Sequence, residues 1–191
     1  MKKLLLASTL SAATLLSGFA HAADYNVDRE GAHAAINFKV QHLGYSWLTG
    51  RFNDFDGSFS YDQNKADNSQ VKVVIQTASL DSNHAERDKH LKGKDFLDVS
   101  QYPTATFTST QYSANDENSG TITGEFSLHG VTKTISFPIE KIGEGTDPWG
   151  GYRAGFSGKT SLKMSDYGID YNLGPASTHV ELELFIEGVQ Q

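Results

Sequence analysis

Apolar residues recur at every second position along most of this chain, and that period restricts what it can fold into. "AAINFKVQH" puts Ile36, Phe38 and Val40 on one face. "VKVVIQT" does the same with Val71, Val73 and Ile75, and "TITGEFSLHG" with Ile122, Phe126 and Leu128, Gly124 falling in the same row. Three further runs follow: Ile135, Phe137 and Ile139; Phe156, Leu162 and Met164; Val180, Leu182, Leu184 and Ile186. Shorter pieces carry Phe59 with Tyr61, and Phe107 in a Thr-rich stretch. A period of two is the signature of strands with one face in a core and the other in water.

Turn-forming residues punctuate these runs: "FDGS", "DQNKADNSQ", "ANDENSG", "LHGVT", "DPWGG" and "NLGPAS". "HGVT" around Gly130 predicts a tight hairpin. Pro138 lies inside a strand pattern, where it predicts an edge or a bulge. About eight strands at hairpin spacing, with little room for crossovers, give an all-β antiparallel barrel or sandwich. Runs of ten residues at ~3.3 Å each cover over ~30 Å, which favours a barrel with an elongated interior. Eight strands is about the size that encloses one small ligand.

The first residues belong to something else. "MKKLLLASTLSAATLLSGFAHA" has a basic start, an apolar run from Leu4 to Leu16 and the small-x-small sequence Ala20-His21-Ala22. It predicts a secretory signal peptide over residues 1–22 and one domain over 23–191, the apolar run being too short to span a bilayer. No later segment is an integral membrane segment. The chain has no cysteine, so an exported domain must stand on its core without disulfides. After Ala22 there remain 14 Lys and Arg against 23 Asp and Glu, a balance that argues against nucleic acid and anionic membranes as partners.

One stretch breaks the strand period. "SNHAERDKHLKGKDFLD", Ser82 to Asp98, holds His84, Glu86, Asp88 and His90 within seven positions. Asn83 as N-cap with Glu86 three residues on predicts a short helix to Leu91 or Lys92, with Gly93 as its stop. On such a helix His84 and Asp88 share one face, and Glu86 and His90 another. The two histidines are six apart, not the four that aim two imidazoles at one zinc. The group therefore reads as the paired charges of a solvated helix. A metal-binding or hydrolytic site at His84–His90 is the alternative, needing a distant partner such as His42 or His179. No nucleophile motif and no phosphate-binding loop occurs, so no catalytic residue, metal or cofactor is expected.

The mature chain keeps 10 of the 11 Phe, all 8 Tyr and both Trp. Phe38, Phe59, Phe107, Phe126, Phe137 and Phe156 lie on apolar rows. With small residues such as Gly124 and Gly158 beside them, they suit an apolar cavity as well as a packed core. Leu162, Met164 and Leu184 extend those rows. "LGYSWLTGRF" adds Tyr45, Trp47 and Leu48 as part of a mouth, and Leu91, Phe96 and Leu97 are the apolar side chains of the helical stretch.

The segments "VQHLGYSWLTGRFNDFDGSFSYD", "NHAERDKHLKGKDFLDVSQYPTATFTS", "GEFSLHGVTK" and "DPWGGYRAGFSGKTSLKMSDYGIDYNLGPAS" resemble the YceI family of bacterial periplasmic proteins. Arg87-Asp88-x-His90-Leu91, followed by Asp95-Phe96-Leu97 and Tyr102-Pro103, is the most specific part. The resemblance implies an eight-stranded antiparallel lipocalin-like β-barrel with a short helical segment near residues 83–98. It implies a periplasmic location and an isoprenoid or other long-chain lipid held in the barrel, tail inside and head at the mouth. It implies no enzymatic activity. The oligomeric state is open, a homodimer included.

Overall fold

The computed structural model describes residues 22–171 and 173–191, so the expected signal peptide lies outside the described residues except for Ala22. Eleven strands run β1 (Ala23–Val27), β2 (Ala35–His42), β3 (Ser46–Phe52), β4 (Phe55–Tyr61), β5 (Gln70–Gln76), β6 (Leu80–Asp81), β7 (Thr104–Ala114), β8 (Ser119–Leu128), β9 (Val131–Thr146), β10 (Tyr152–Lys163) and β11 (His179–Gln190). One helix, α1 (Ala85–Leu91), interrupts them.

Pairing reduces eleven segments to eight strands. β1 and β2 both pair with β11, through Val27↔Gly188 and Ala35↔Phe185, so they are one long strand interrupted at residues 28–34. β3 pairs with β2 while β4 pairs with β1, and β6 pairs with β3 while β5 pairs with β4. Those are two further long strands, each bent in the middle. The remaining neighbours follow in order through β7, β8, β9 and β10 to β11. Every pairing is antiparallel, and the β1–β11 contact closes the ring. This is the eight-stranded antiparallel barrel that the alternating sequence predicts.

Two local expectations are met. His129 and Gly130 both have positive φ, the backbone that a two-residue hairpin turn between β8 and β9 needs. Pro138 sits where the β9–β10 ladder ends at Ile139↔Gly158. It has no N–H to give to β10, so the two strands part there. Beyond that point the first half of β9 holds only β8, and the second half of β10 holds only β11.

The interior is filled differently at its two ends. At one end Tyr25 stacks on Phe59 with centroids 4.8 Å apart, and Phe156 meets Phe59 and Tyr61 edge-on at 5.5 and 5.2 Å. These rings, with Ala154, form a packed cluster. In the middle Phe107 lies 5.5 Å from Phe137, within a larger core. Gly124 and Gly158 do not open a cavity there. A Cβ at Gly124 would stand 2.6 Å from the Phe107 ring, and one at Gly158 would stand 2.6 Å from Ile139 Cδ1. Each glycine seats a large neighbour in a close-packed core.

The interruption between β1 and β2 is held by ionic contacts. The buried Asp28 carboxylate accepts from Gly31 N–H at 2.8 Å, meets His33 Nδ1 at 2.9 Å and is paired with Arg153 of β10. Arg153 also binds Glu187 and Asp147, each at 2.7 Å. The Arg153 guanidinium, and then His33, hold the Asp28 carboxyl down from 3.8 to about 2. A carboxyl lowered in the folded state stabilises fully above its unfolded value and loses that contribution as pH falls through the folded one. Asp28→Asn should therefore cost about 1–3 kcal/mol at neutral pH. It should also flatten the loss of stability between pH 3.8 and about 2. Thermal melts of both proteins across that window check this; parallel curves would contradict it.

Candidate functional site

At the other end the inward rows are mostly aliphatic, and they do not meet across the bore. Ile36 and Val40 of β2, Leu48 of β3, Leu80 of β6, Leu162 of β10 and Leu182 of β11 leave a cavity of about 680 Å³, with Phe38, Phe52 and Phe126 also in its wall. That volume is in the range of ~300–1,000 Å³ usual for small-molecule sites. Phe38 keeps its place because β3 offers Gly50 opposite it; a Cβ there would stand 2.3 Å from the ring. Polar groups lie among the lining residues of α1 and of the flap that follows β10 (residues 164–178), with His42 at the end of β2.

Helix α1 covers part of this end, and the crowded charges of its sequence hold it there. His84, not Asn83, is the N-cap: its Nδ1 accepts from Arg87 N–H at 3.2 Å. Asn83 has φ near +60° and stands outside the helix, held by a 2.8 Å bond from its N–H to the Asp81 carboxylate. Buried Ser82 is the anchor. Its N–H and hydroxyl donate to Asp88, and Arg87 Nε donates to the hydroxyl at 2.7 Å while its Nη2 reaches the Ser82 carbonyl. Asp88 thus binds Ser82, and His90 binds Asp95 at 3.2 Å rather than Glu86. With these contacts fixed, Arg87, His90 and Leu91, spaced i, i+3 and i+4, turn one face to the cavity.

A second cover comes from the segment after β10. Met164–Tyr167 forms a single 3₁₀ turn, and Tyr167 is buried against Phe126 with its carbonyl 3.0 Å from His129 Nδ1. The chain then crosses the opening with Ile169, Tyr171 and Leu173 against the cavity. Three rings clasp the two covers together: His90 lies 5.0 Å from Phe96 and 5.3 Å from Tyr171, and Phe96 lies 4.9 Å from Tyr171.

Of the residues that the sequence proposes for a cavity, Phe38, Leu91, Phe96, Phe126, Leu162 and Met164 line this one. Phe59 and Phe156 belong to the aromatic cluster at the far end. Phe107 and Phe137 pack on each other, and Leu184 packs against the main core. Trp47 is on the outer wall, 48% exposed, with Lys39 Nζ 4.7 Å above its ring. It cannot face inward because its neighbour Leu48 does. The lining residues that were passed over, Val40, Val180 and Leu182, sit on the same alternating rows, and Leu48, expected at the mouth, is in the cavity wall. Choosing by ring size selects the parts of the bore that rings fill.

Metal and nucleophile geometry is sparse among the described residues. Asp28, His33 and Glu187 converge closely enough to share an ion, but Arg153 already binds both carboxylates and supplies the positive charge. His84 and His90 have separate duties and do not converge. Thr178 Oγ1 contacts His179 Nδ1 at 2.9 Å in an exposed setting. No carboxylate lies behind that imidazole among the described residues. No helix among them is long and apolar enough to cross a membrane.

A closed antiparallel barrel with a capped apolar chamber at one end is the architecture of the lipocalin-like proteins. A family model described as the YceI-like domain matches residues 25–188, and the chain belongs to that family. A UPF0312 protein of Pseudomonas aeruginosa is 56% identical over 191 residues, covering all of both chains. A Campylobacter jejuni YceI protein of known structure is 29% identical, with a TM-score of 0.73 over 80% of this chain and 91% of that one. A polyisoprenoid binding domain from Saccharophagus degradans, implicated in plant cell wall breakdown, shares the fold at a TM-score of 0.65 and 17% identity. That alignment covers 90% of this chain and all of the other.

The separate duties of the two histidines are testable. His84→Ala removes only a helix cap and should lower stability by about 1 kcal/mol, with the affinity for an apolar fluorescent probe unchanged. His90→Ala takes a ring from the clasp and the cavity wall, and should weaken probe binding with the fold intact. Titration and thermal melts of both variants check this; equal loss of probe affinity would contradict it.

Proposed function

We propose that this protein is exported to the periplasm after removal of residues 1–22, and there holds one polyisoprenoid or similar amphiphile in its barrel for transport or storage. The cavity of about 680 Å³, apolar through its depth, is the observation that carries this reading. An acyl or isoprenoid tail entering it would leave water along its whole length, at about 0.8 kcal/mol per buried CH₂. The polar head would stay among the groups of the opening, where Arg87, His90, His42 and Asp170 offer donors and acceptors. Phe38, Leu91, Phe96, Phe126, Leu162 and Met164 would contact the tail.

The exterior supports a protein that works in water. Ion pairs Lys39–Glu181 and Lys159–Glu183 stand on the outer wall at 2.9 and 2.8 Å. A barrel that crosses a bilayer has the opposite arrangement, apolar outside and polar within. The fold neighbour described as polyisoprenoid binding adds weight to the ligand class. Binding by burial needs no nucleophile or metal, so we infer a binding protein rather than an enzyme.

Native mass spectrometry of protein purified from its host should find one lipid per chain. Val40→Trp puts an indole into the cavity from the mouth-side half of β2. It should fold with an unchanged or raised melting temperature and purify without the lipid. Wild-type protein that is consistently empty, or a Val40→Trp protein that retains the same lipid, would overturn the reading.

A further inference from the structure

The described residues leave nine large apolar side chains exposed, and their distribution is uneven. Five of them gather at the cavity end: Tyr171 and Leu173 line the cavity, Leu43 and Tyr45 form the tip of the β2–β3 hairpin, and Trp47 is on the outer wall just behind that tip. Tyr45 is the most open, at 87%. They come from two places in the chain that the fold ties together. The β2–β3 hairpin tip, with Leu43 and Gly44 at positive φ, leans on the flap that follows β10. Leu43 N–H reaches Ser177 Oγ at 3.4 Å, Ser177 Oγ in turn donates to the Gln41 carbonyl, and a Cβ at Gly44 would touch Ala176. Tyr171 and Leu173 belong to the same flap and also line the cavity. The exposed rim is therefore continuous with the apolar interior.

We propose that this rim docks on a net-neutral lipid bilayer, seating the cavity mouth against the leaflet so that a lipid enters or leaves without crossing water. This rests on the lipid-binding reading above. Three features select a bilayer over another partner. The rim is continuous with the site whose cargo is itself insoluble in water. Tyr and Trp, with apolar rings and a polar atom, are the side chains favoured at the membrane–water interface. The acidic excess of the chain disfavours an attraction to anionic headgroups, so insertion of apolar side chains must supply the affinity.

The two tryptophans give the test a built-in control. Trp47 is on the outer wall one residue from the hairpin tip of the rim; Trp149, 81% exposed, is on the β9–β10 turn at the opposite end of the barrel. The probe is a vesicle of zwitterionic phosphatidylcholine, with or without brominated acyl chains, added to the mature chain. In Trp149→Phe protein, Trp47 emission should move to the blue and be quenched by the bromines, with little dependence on salt. In Trp47→Phe protein, Trp149 should do neither. Leu43→Asn with Tyr45→Ser, both at the exposed tip, should weaken partitioning at least about tenfold.

Quenching of Trp149 instead, binding only to anionic vesicles, or a rim buried between two copies in sedimentation experiments would each overturn the proposal. A parallel titration with an apolar probe in vesicle-free buffer separates the two readings. Probe binding without Trp47 quenching sinks the docking surface and leaves the lipid site. Trp47 quenching without probe binding does the reverse.

Discussion

The pairing of β11 with both β1 and β2 is the contact on which the rest of this molecule depends. It closes the sheet into a ring, and closure turns one face of every strand into a shared interior. Once closed, the bore has a set width, and the side chains on each row decide whether it is filled. Where Tyr25, Phe59, Tyr61 and Phe156 project, rings meet in the middle and the barrel is solid. Where Ile36, Val40, Leu48 and Leu182 project, the side chains are too short to meet, and the cavity results. A single ring of strands thus carries a packed base and a hollow top.

The hollow end would be unstable as an open apolar well, and two covers reduce its exposure. Both are tied down by polar contacts outside the cavity. Ser82 anchors Arg87 and Asp88 of α1, and His129 holds the carbonyl of Tyr167 under the flap. The charged residues of the helical stretch are therefore fasteners for a lid. The junction between the covers is looser, a cluster of three rings with Tyr171 47% exposed. Under the proposed lipid-binding reading, the path in or out opens most easily there, because separating rings at a surface disrupts less than breaking a buried network.

Part of the cavity wall was legible before any fold was known, in a particular way. The alternating rows named the inward residues, and Phe38, Phe126, Leu162 and Met164 all line the cavity. The rows did not say where along the bore a residue would fall. Phe59, Phe107, Phe137 and Phe156 obey the same alternation yet sit in packed regions, because register, not period, sets depth. Trp47 shows a simpler limit: next to an inward Leu48 it had to face out. The helix was legible as a helix, although its cap is His84 rather than Asn83. Its anchoring through Ser82 was not legible, since that contact needs the end of β6 beside the first turn.

By itself the sequence determined the antiparallel all-β class, the hairpin at Gly130, an edge or bulge at Pro138 and the family to which the chain belongs. These are local properties, set by side-chain period, by φ preference and by a missing N–H. Only the tertiary structure decided that eleven segments make eight strands, that one end is filled and the other hollow, and that two distant segments cap the hollow end. Those outcomes depend on which residues stand opposite each other across a closed ring. Opposition across a ring is fixed by long-range register, and neither composition nor local pattern encodes it.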